Sequence, residues 1–395
     1  MFDIIPMKGG LGTVEGFYCD GVNCGMREGE QPDLAYIRSA TPCDITATFT
    51  TNRFQAAPIK HYQRYKKGFQ TDFLLINAKN ANAMTGERGI RDIDTIFEAI
   101  GEKIELTNPV MSSTGVIGYP LPTEKIIDGF EKFDLDARNS ARAAEAIMTT
   151  DRFPKELAFE VTLEDGSSFH IAGICKGAGM INPAMATMLC FIVTDADIPA
   201  AEMDLLLRES VDTSFNTISV DGDTSTNDSV FLLASRESGS YDREAFRTAL
   251  DMLTHRLAMM ILEDGEGANK VVAFEVSGAA TKADAIKASK TLSNSLLVKT
   301  ALFGEDPNWG RIASTIGASG ITCDETRLVI RYEDLIVYSS DYPVLDAQRE
   351  AKAAEIMKRH SYKIRCDIGV GEASHTSYGC DLSYDYVKIN ADYRT

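Results

Sequence analysis

The sequence predicts an α/β protein, on three observations. Strand-like runs, short and apolar or alternating, recur along the whole chain, interleaved with segments whose apolar residues fall three and four apart, as on one face of a helix. A β-hairpin is marked by two alternating segments, 157–163 (LAFEVTL) and 168–174, on either side of Asp165-Gly166, a turn dipeptide. The 395 residues, 44% hydrophobic and 25% charged, suit two packed lobes with a sizeable core.

Taken in order, residues 1–60 read as short β segments around glycine turns. Lys8-Gly9-Gly10-Leu11-Gly12 has the glycines of a phosphate loop but no GK[ST], so a turn is the better reading. A buried strand at 73–76 (FLLI) feeds a bend, Asn77 to Asn82, whose three asparagines suit either a pocket or a turn. A helix over 92–104 follows from Ile93, Ile96, Phe97 and Ile100. Helices are also predicted at 122–133 and 135–148, the second rich in alanine. After the hairpin, the apolar run from Met185 (MATMLCFIV) has strand length and composition. Helices at 199–216, 241–262, 283–301 and 345–360, and strands at 271–276, 327–333, 335–339 and 362–370, complete the pattern. The last ten residues, 386–395, read as a strand.

Composition excludes several function classes. A net charge of −18 argues against a nucleic-acid partner, whose phosphates must be neutralised. The start, MFDIIPMKGGLG, lacks the basic and apolar regions of a leader, and no apolar run is long enough to span a membrane, so a cytoplasmic protein is expected. The eight cysteines form no CxxC and the five histidines stand singly, so free thiols and no metal centre are expected. The DxDxS spacing from Asp221 lacks the calcium-loop glycine, with Thr226 at the sixth position, and the glutamate, with Leu232 at the twelfth.

Three segments carry donor and acceptor types that could do chemistry. In the first, Lys176 to Ala196, glycines at 177 and 179 and then Pro183 lead to a threonine at the mouth of the apolar strand. Thr187 there suits a rigidly held nucleophile, and equally the commoner β-branched strand residue. In the second, Ser112-Ser113-Thr114-Gly115, hydroxyls and a glycine N–H are the donor types of an oxyanion hole, or a plain loop between strand and helix. In the third, Asp264-Gly265-Glu266-Gly267, acidic groups at a helix exit suit a substrate amine or a solvated cap.

Seven ordered motifs then decide among these readings: SSTGVIG at 112–118, MTTD at 148–151, KGAGMINPAMATML at 176–189, VDGDTSTND at 220–228, DGEGANK at 264–270, DPNWGRI at 306–312 and INADYRT at 389–395. Together they resemble the ornithine acetyltransferase (glutamate N-acetyltransferase) family of arginine biosynthesis, over nearly the whole chain. The resemblance implies an α/β fold of stacked β-sheets flanked by helices, in an αββα-like, self-processing N-terminal-nucleophile enzyme. It implies autocatalytic cleavage between Ala186 and Thr187, giving an α chain of residues 1–186 and a β chain of 187–395 that begins with its nucleophile. The new α-amine, titrating near neutrality, would serve as general base for its own hydroxyl.

By the same resemblance, acetyl passes from N2-acetylornithine to Thr187 and on to glutamate, with Thr114 and Gly115 as oxyanion hole. Substrate contacts fall on Thr149, Lys176, Thr187, Glu266, Asn390 and Thr395. No resident cofactor or metal is implied, acetyl-CoA stands as a second acetyl donor in the bifunctional members, and two α and two β chains are expected to form a heterotetramer. The chain departs from the family pattern at Ala184, at Asn269 and in the bend NAKNANAMTG, which bears on specificity rather than reaction type. The alternatives are a related self-processing aminopeptidase or amidase, in which water takes the acyl group, and an inactive binding protein of the same fold.

Overall fold

The computed structural model describes residues 1–182 and 188–392. The first half of the chain contributes β1 (Phe2–Met7), β2 (Phe17–Val22), β3 (Leu34–Phe49), α1 (Ala57–Tyr62), β4 (Gln70–Asn77), α2 (Gly86–Gly101), β5 (Val110–Ser113), α3 (Thr123–Phe130), α4 (Ser140–Ala146), β6 (Lys155–Leu163) and β7 (Ser168–Lys176). After it come β8 (Leu189–Thr194), α5 (Ala200–Thr213), β9 (Ile218–Ser219), β10 (Ser229–Ala234) and α6 (Arg243–Glu263). The remainder forms β11 (Val271–Ala279), α7 (Lys282–Asn294), α8 (Leu296–Phe303), α9 (Trp309–Ala318), β12 (Val329–Tyr332), β13 (Leu335–Tyr338), α10 (Ala347–Met357), β14 (Ser361–Asp367), β15 (Ala373–Cys380) and α11 (Tyr384–Asp392).

The larger sheet runs β1-β6-β7-β8-β10-β3-β4-β5, with β2 also on β3. Long β3 serves both of its arms: Leu34 to Arg38 pair with β4, Asp44 to Phe49 pair with β10, and the register with β4 shifts between Arg38 and Cys43. The two arms stack, because Ile37, Ile76 and Val110 of one share a buried cluster with Ile174, Phe191 and Phe231 of the other. Phe191 and Phe231 lie parallel with ring centroids 5.4 Å apart. On the outer faces, α5 and α6 cover Phe169, Ile171 and Ile192, while α2 and α3 cover Leu75 and Phe73. This is the helix–sheet–sheet–helix order expected. Each fully buried aliphatic or aromatic side chain in these layers contributes about 1.5–3 kcal/mol.

The second sheet runs β13-β12-β14-β11-β15-β9. One face buries Phe274, Ile330 and Ile364 against α7, α9 and α10. The other packs Val271 and Cys380 into the core under α6 and is polar beyond them, with Glu275 accepting from Lys363 Nζ at 2.7 Å and Arg365 Nε at 2.8 Å. Such half-exposed pairs add little stability.

Most periodicity-based expectations hold, including the hairpin, whose strands pair Lys155 to Thr162 with Cys175 to Ser168. Three differ. The 283–301 helix divides at Ser295, whose Oγ caps α8 by accepting the Val298 N–H at 3.3 Å. Helix α2 starts at Gly86, six residues earlier than its apolar pattern. The terminal strand is instead helix α11, for a physical reason. A four-residue helical spacing brings Tyr386 and Asn390 to one face, where the Tyr386 hydroxyl meets Asp221 Oδ2 at 3.3 Å and Asn390 Nδ2 donates to Glu266 Oε2 at 2.7 Å.

Candidate active site

The site lies where strand ends from distant parts of the chain meet. In the stacked layer, β4 and β5 run parallel and finish together, Asn77 opposite Ser113. The three asparagines after β4 are structural: Asn77 Oδ1 accepts from Ser113 Oγ at 2.6 Å, Asn80 Nδ2 donates to Pro120 O at 2.9 Å, and Asn82 Nδ2 donates to Gly89 O at 2.9 Å. Asn227, at the approach to β10, ties the same corner by donating to Ala81 O at 2.6 Å and Ser113 O at 2.8 Å.

These bonds press the bend against the Thr114-Gly115 turn. Thr114 and Val116 N–H donate to Asn77 O and Lys79 O, and no backbone bond among the described residues uses the Gly115 N–H between them. Gly115 has φ +132°, and a Cβ there would lie 2.2 Å from the Lys79 carbonyl carbon, so only glycine fits. The Thr114 Oγ1 accepts from Lys176 Nζ at 3.2 Å. An oxygen already accepting from an ammonium has its own hydrogen left to donate, which is the state an oxyanion hole needs.

Lys176 ends β7 and is 3% exposed. Burial lowers its pKa, and the Asp151 carboxylate opposes that shift. Asp151 itself is held at about 2: burial pushes it up, and the Lys176 and Lys155 ammonium groups with their hydrogen bonds more than reverse this. Glu266 is 8% exposed and enters from the loop after α6, its N–H donating to Ala178 O at 2.9 Å. Its carboxylate fills the space beside Gly179, where a Cβ would stand 2.5 Å from the Glu266 Cδ. Asp221, read from sequence against a calcium loop, spends its oxygens on the N–H groups of Met180 at 2.6 Å and Ile181 at 2.8 Å. Asp228 is fully buried, accepts the Met188 N–H at 3.0 Å through Oδ1, and leaves Oδ2 without a partner among the described residues. Burial raises its pKa well above the carboxylate range.

Six of the expected residues, Thr114, Gly115, Thr149, Lys176, Glu266 and Asn390, line one cavity of about 140 Å³. They come from sites up to 276 positions apart in the chain, so only the fold assembles them. Ala186, Thr187 and Thr395 lie outside the described residues. The cavity wall also includes Lys79, Asp223, Thr226, Asn227 and Tyr386, none of which the sequence singled out for a role. Among the described residues, no group of three or more His, Cys, Asp or Glu side chains is placed to hold a metal ion, and no helix is long and apolar enough to cross a membrane. The cysteines are free, with only Cys323 exposed.

A model of the ArgJ family matches residues 18–395. The chain belongs to the ArgJ family. It is 56% identical to the arginine biosynthesis bifunctional protein ArgJ of Wolinella succinogenes over 100% of both chains. Among solved structures, it is similar to the arginine biosynthesis bifunctional protein argJ of Bacillus halodurans at 36% identity, with a TM-score of 0.47 over 50% of this chain and 96% of that one. Ornithine acetyltransferase from Mycobacterium tuberculosis, solved with ornithine, is 28% identical, with a TM-score of 0.41 over 47% of this chain and 100% of that one.

Proposed function

We propose that this chain is a glutamate N-acetyltransferase of arginine biosynthesis, which moves acetyl from N2-acetylornithine to glutamate through an ester on Thr187. The enzyme first processes itself. The Thr187 hydroxyl attacks the Ala186 carbonyl, the Ala186-Thr187 C–N bond breaks to leave an ester, and water hydrolyses that ester. The products are a carboxylate on Ala186 and a free α-amine on Thr187, which titrates near neutrality and accepts the proton of its own hydroxyl.

In turnover, Thr187 Oγ attacks the acetyl carbonyl, ornithine leaves with a proton on its amine, and the acetyl group remains as an ester. The glutamate amine then attacks that ester, and the acetyl-nitrogen bond forms as the Thr187 hydroxyl is regenerated. Both tetrahedral intermediates carry an oxyanion, for which Thr114 Oγ1–H and the Gly115 N–H are the donors. The single observation that carries this reading is the Lys176-to-Thr114 hydrogen bond of 3.2 Å at the cavity wall, beside a Gly115 N–H that no backbone bond among the described residues uses. The Glu266 carboxylate, held by Asn390, offers an anionic wall for the ornithine ammonium.

Acetyl-CoA is a candidate second donor, no resident cofactor is required by this chemistry, and two processed protomers are proposed to assemble as a heterotetramer in the cytoplasm. The test is one assay series on purified protein: acetyl transfer to glutamate from N2-acetylornithine and, separately, from acetyl-CoA, with trapping of the acetyl ester on the peptide starting at Thr187. Transfer from neither donor refutes the proposal.

A further inference from the structure

Outside the cavity wall, one buried ammonium holds two loops and the end of β7, each of which delivers one expected substrate contact. Lys155 opens β6 with its side chain 0% exposed. Its Nζ donates to Asp151 Oδ1 at 2.7 Å and to Asp264 Oδ2 at 2.6 Å, and both of those carboxylates are likewise 0% exposed. Asp151 passes the connection on: Oδ2 accepts the Thr149 N–H at 2.9 Å, and Oδ1 also accepts the Gly177 N–H at 2.7 Å, next to Lys176. Asp264 lies two residues before Glu266 and accepts Arg152 Nε at 2.9 Å as well. The loops carrying Thr149 and Glu266 and the β7 end carrying Lys176 therefore converge on Lys155. None of Lys155, Asp151 and Asp264 lines the cavity.

A desolvated ion triad of this kind is a poor source of net stability, since an apolar replacement of the same shape commonly does as well. What an apolar replacement cannot supply is direction, because the four carboxylate oxygens here fix backbone N–H groups of Thr149, Arg152 and Gly177 together with the Lys155 ammonium and the Arg152 guanidinium at hydrogen-bond length. We infer that Lys155 is a positioning residue that sets the spacing of Thr149, Lys176 and Glu266 around the substrate. The inference deepens the acetyltransferase reading and rests on it for the choice of substrate. The bridge also joins the proposed α chain (Lys155, Asp151) to the proposed β chain (Asp264), so it holds the site together after cleavage.

The test uses the purified full-length protein after self-processing and compares it with Lys155→Met/Asp264→Asn, which removes the bridge without stranding the Asp264 charge, and with Arg152→Ala. Amide hydrogen exchange is read by mass spectrometry over 148–152, 176–182 and 264–268. In the double variant, all three segments are expected to exchange about tenfold faster or more while β11 keeps its parental rate. The KM for N2-acetylornithine is expected to rise about tenfold at a similar melting temperature, within the roughly 100-fold that a misplacement of about 1 Å can cost. Parental exchange in the three segments, with KM within about twofold of the parent, overturns the inference. Should the double variant fail to fold, Arg152→Ala decides. Its side chain is 59% exposed and it is expected to fold. It takes one cation from Asp264, so exchange over 264–268 and KM should each rise roughly two- to fivefold, and no rise in either overturns the inference. A parent without acetyl transfer refutes the acetyltransferase reading, and the exchange data alone then decide the bridge.

Discussion

Replacing Thr114 by alanine removes a single hydroxyl with two duties, and the structure gives a magnitude for each. As an oxyanion donor, that hydroxyl is worth about 2.7–4 kcal/mol in the transition state, so kcat should fall about 10²–10³-fold. As an acceptor, it takes the Lys176 Nζ hydrogen bond at 3.2 Å, inside a site where Lys176 is 3% exposed. Hydrogen bonds to a charged group are worth about 1.5–3 kcal/mol, so stability should drop by that order, roughly 2–4 °C in melting temperature for a chain of this length. Thr114→Ser keeps the hydroxyl and is expected to restore both quantities, separating the loss of the oxygen from the loss of the methyl group. Steady-state acetyl transfer from N2-acetylornithine gives kcat, and a thermal melt of the same samples gives stability. A Thr114→Ala enzyme with kcat within about threefold of the parent would refute the oxyanion assignment. An unchanged melting temperature would mean that Lys176 does not rely on this oxygen.

Three further outcomes are expected. Thr187→Ala should run on denaturing gels as one chain of 43.2 kDa, where the parent gives two of about 20 and 23 kDa in proportion to residues 1–186 and 187–395; efficient cleavage in the variant would sink the assignment. Gly179→Ala places a Cβ 2.5 Å from Glu266 Cδ, so the Glu266 carboxylate must move off Asn390, and KM for N2-acetylornithine should rise by about tenfold; an unchanged KM would show that Glu266 is not a substrate contact. Asp151 has its pKa depressed from 3.8 to about 2, so its contribution of roughly 2 kcal/mol is present above pH 4 or so and is lost as pH falls towards 2. Chemical unfolding of parent and Asp151→Asn across that window should show the stability difference shrinking as pH falls, and a difference independent of pH would count against the buried pairing.

Much of the fold was legible because it is local. The 155–176 hairpin announces itself in two alternating segments around Asp165-Gly166, and α6 in an apolar stripe that includes Phe246, Leu250, Leu253 and Leu257. The terminal segment misled for the same reason. A short stretch such as YDYVKIN fits either period, and what makes it a helix is contact with Asp221 and Glu266, more than 120 residues away in the chain. The 283–301 pattern likewise gave no sign of its division at Ser295, because a lone serine is unremarkable until it caps a helix.

The candidate site divides along the same line. The resemblance carried by the ordered motifs is what let Thr114, Gly115, Thr149, Lys176, Glu266 and Asn390 be named from sequence, and all six line one cavity. Their neighbours could not. That Lys176 donates to Thr114, that Asp221 spends its oxygens on backbone N–H groups, and that Lys155 joins Asp151 to Asp264 are facts about which loops meet. Sequence by itself determines periodicity, turns and donor types, because these depend on residues a few positions apart. Tertiary structure alone decides which buried charge faces which, because a hydrogen bond is set within a few tenths of an ångström by strands and loops that the chain brings together from as far as 109 residues away.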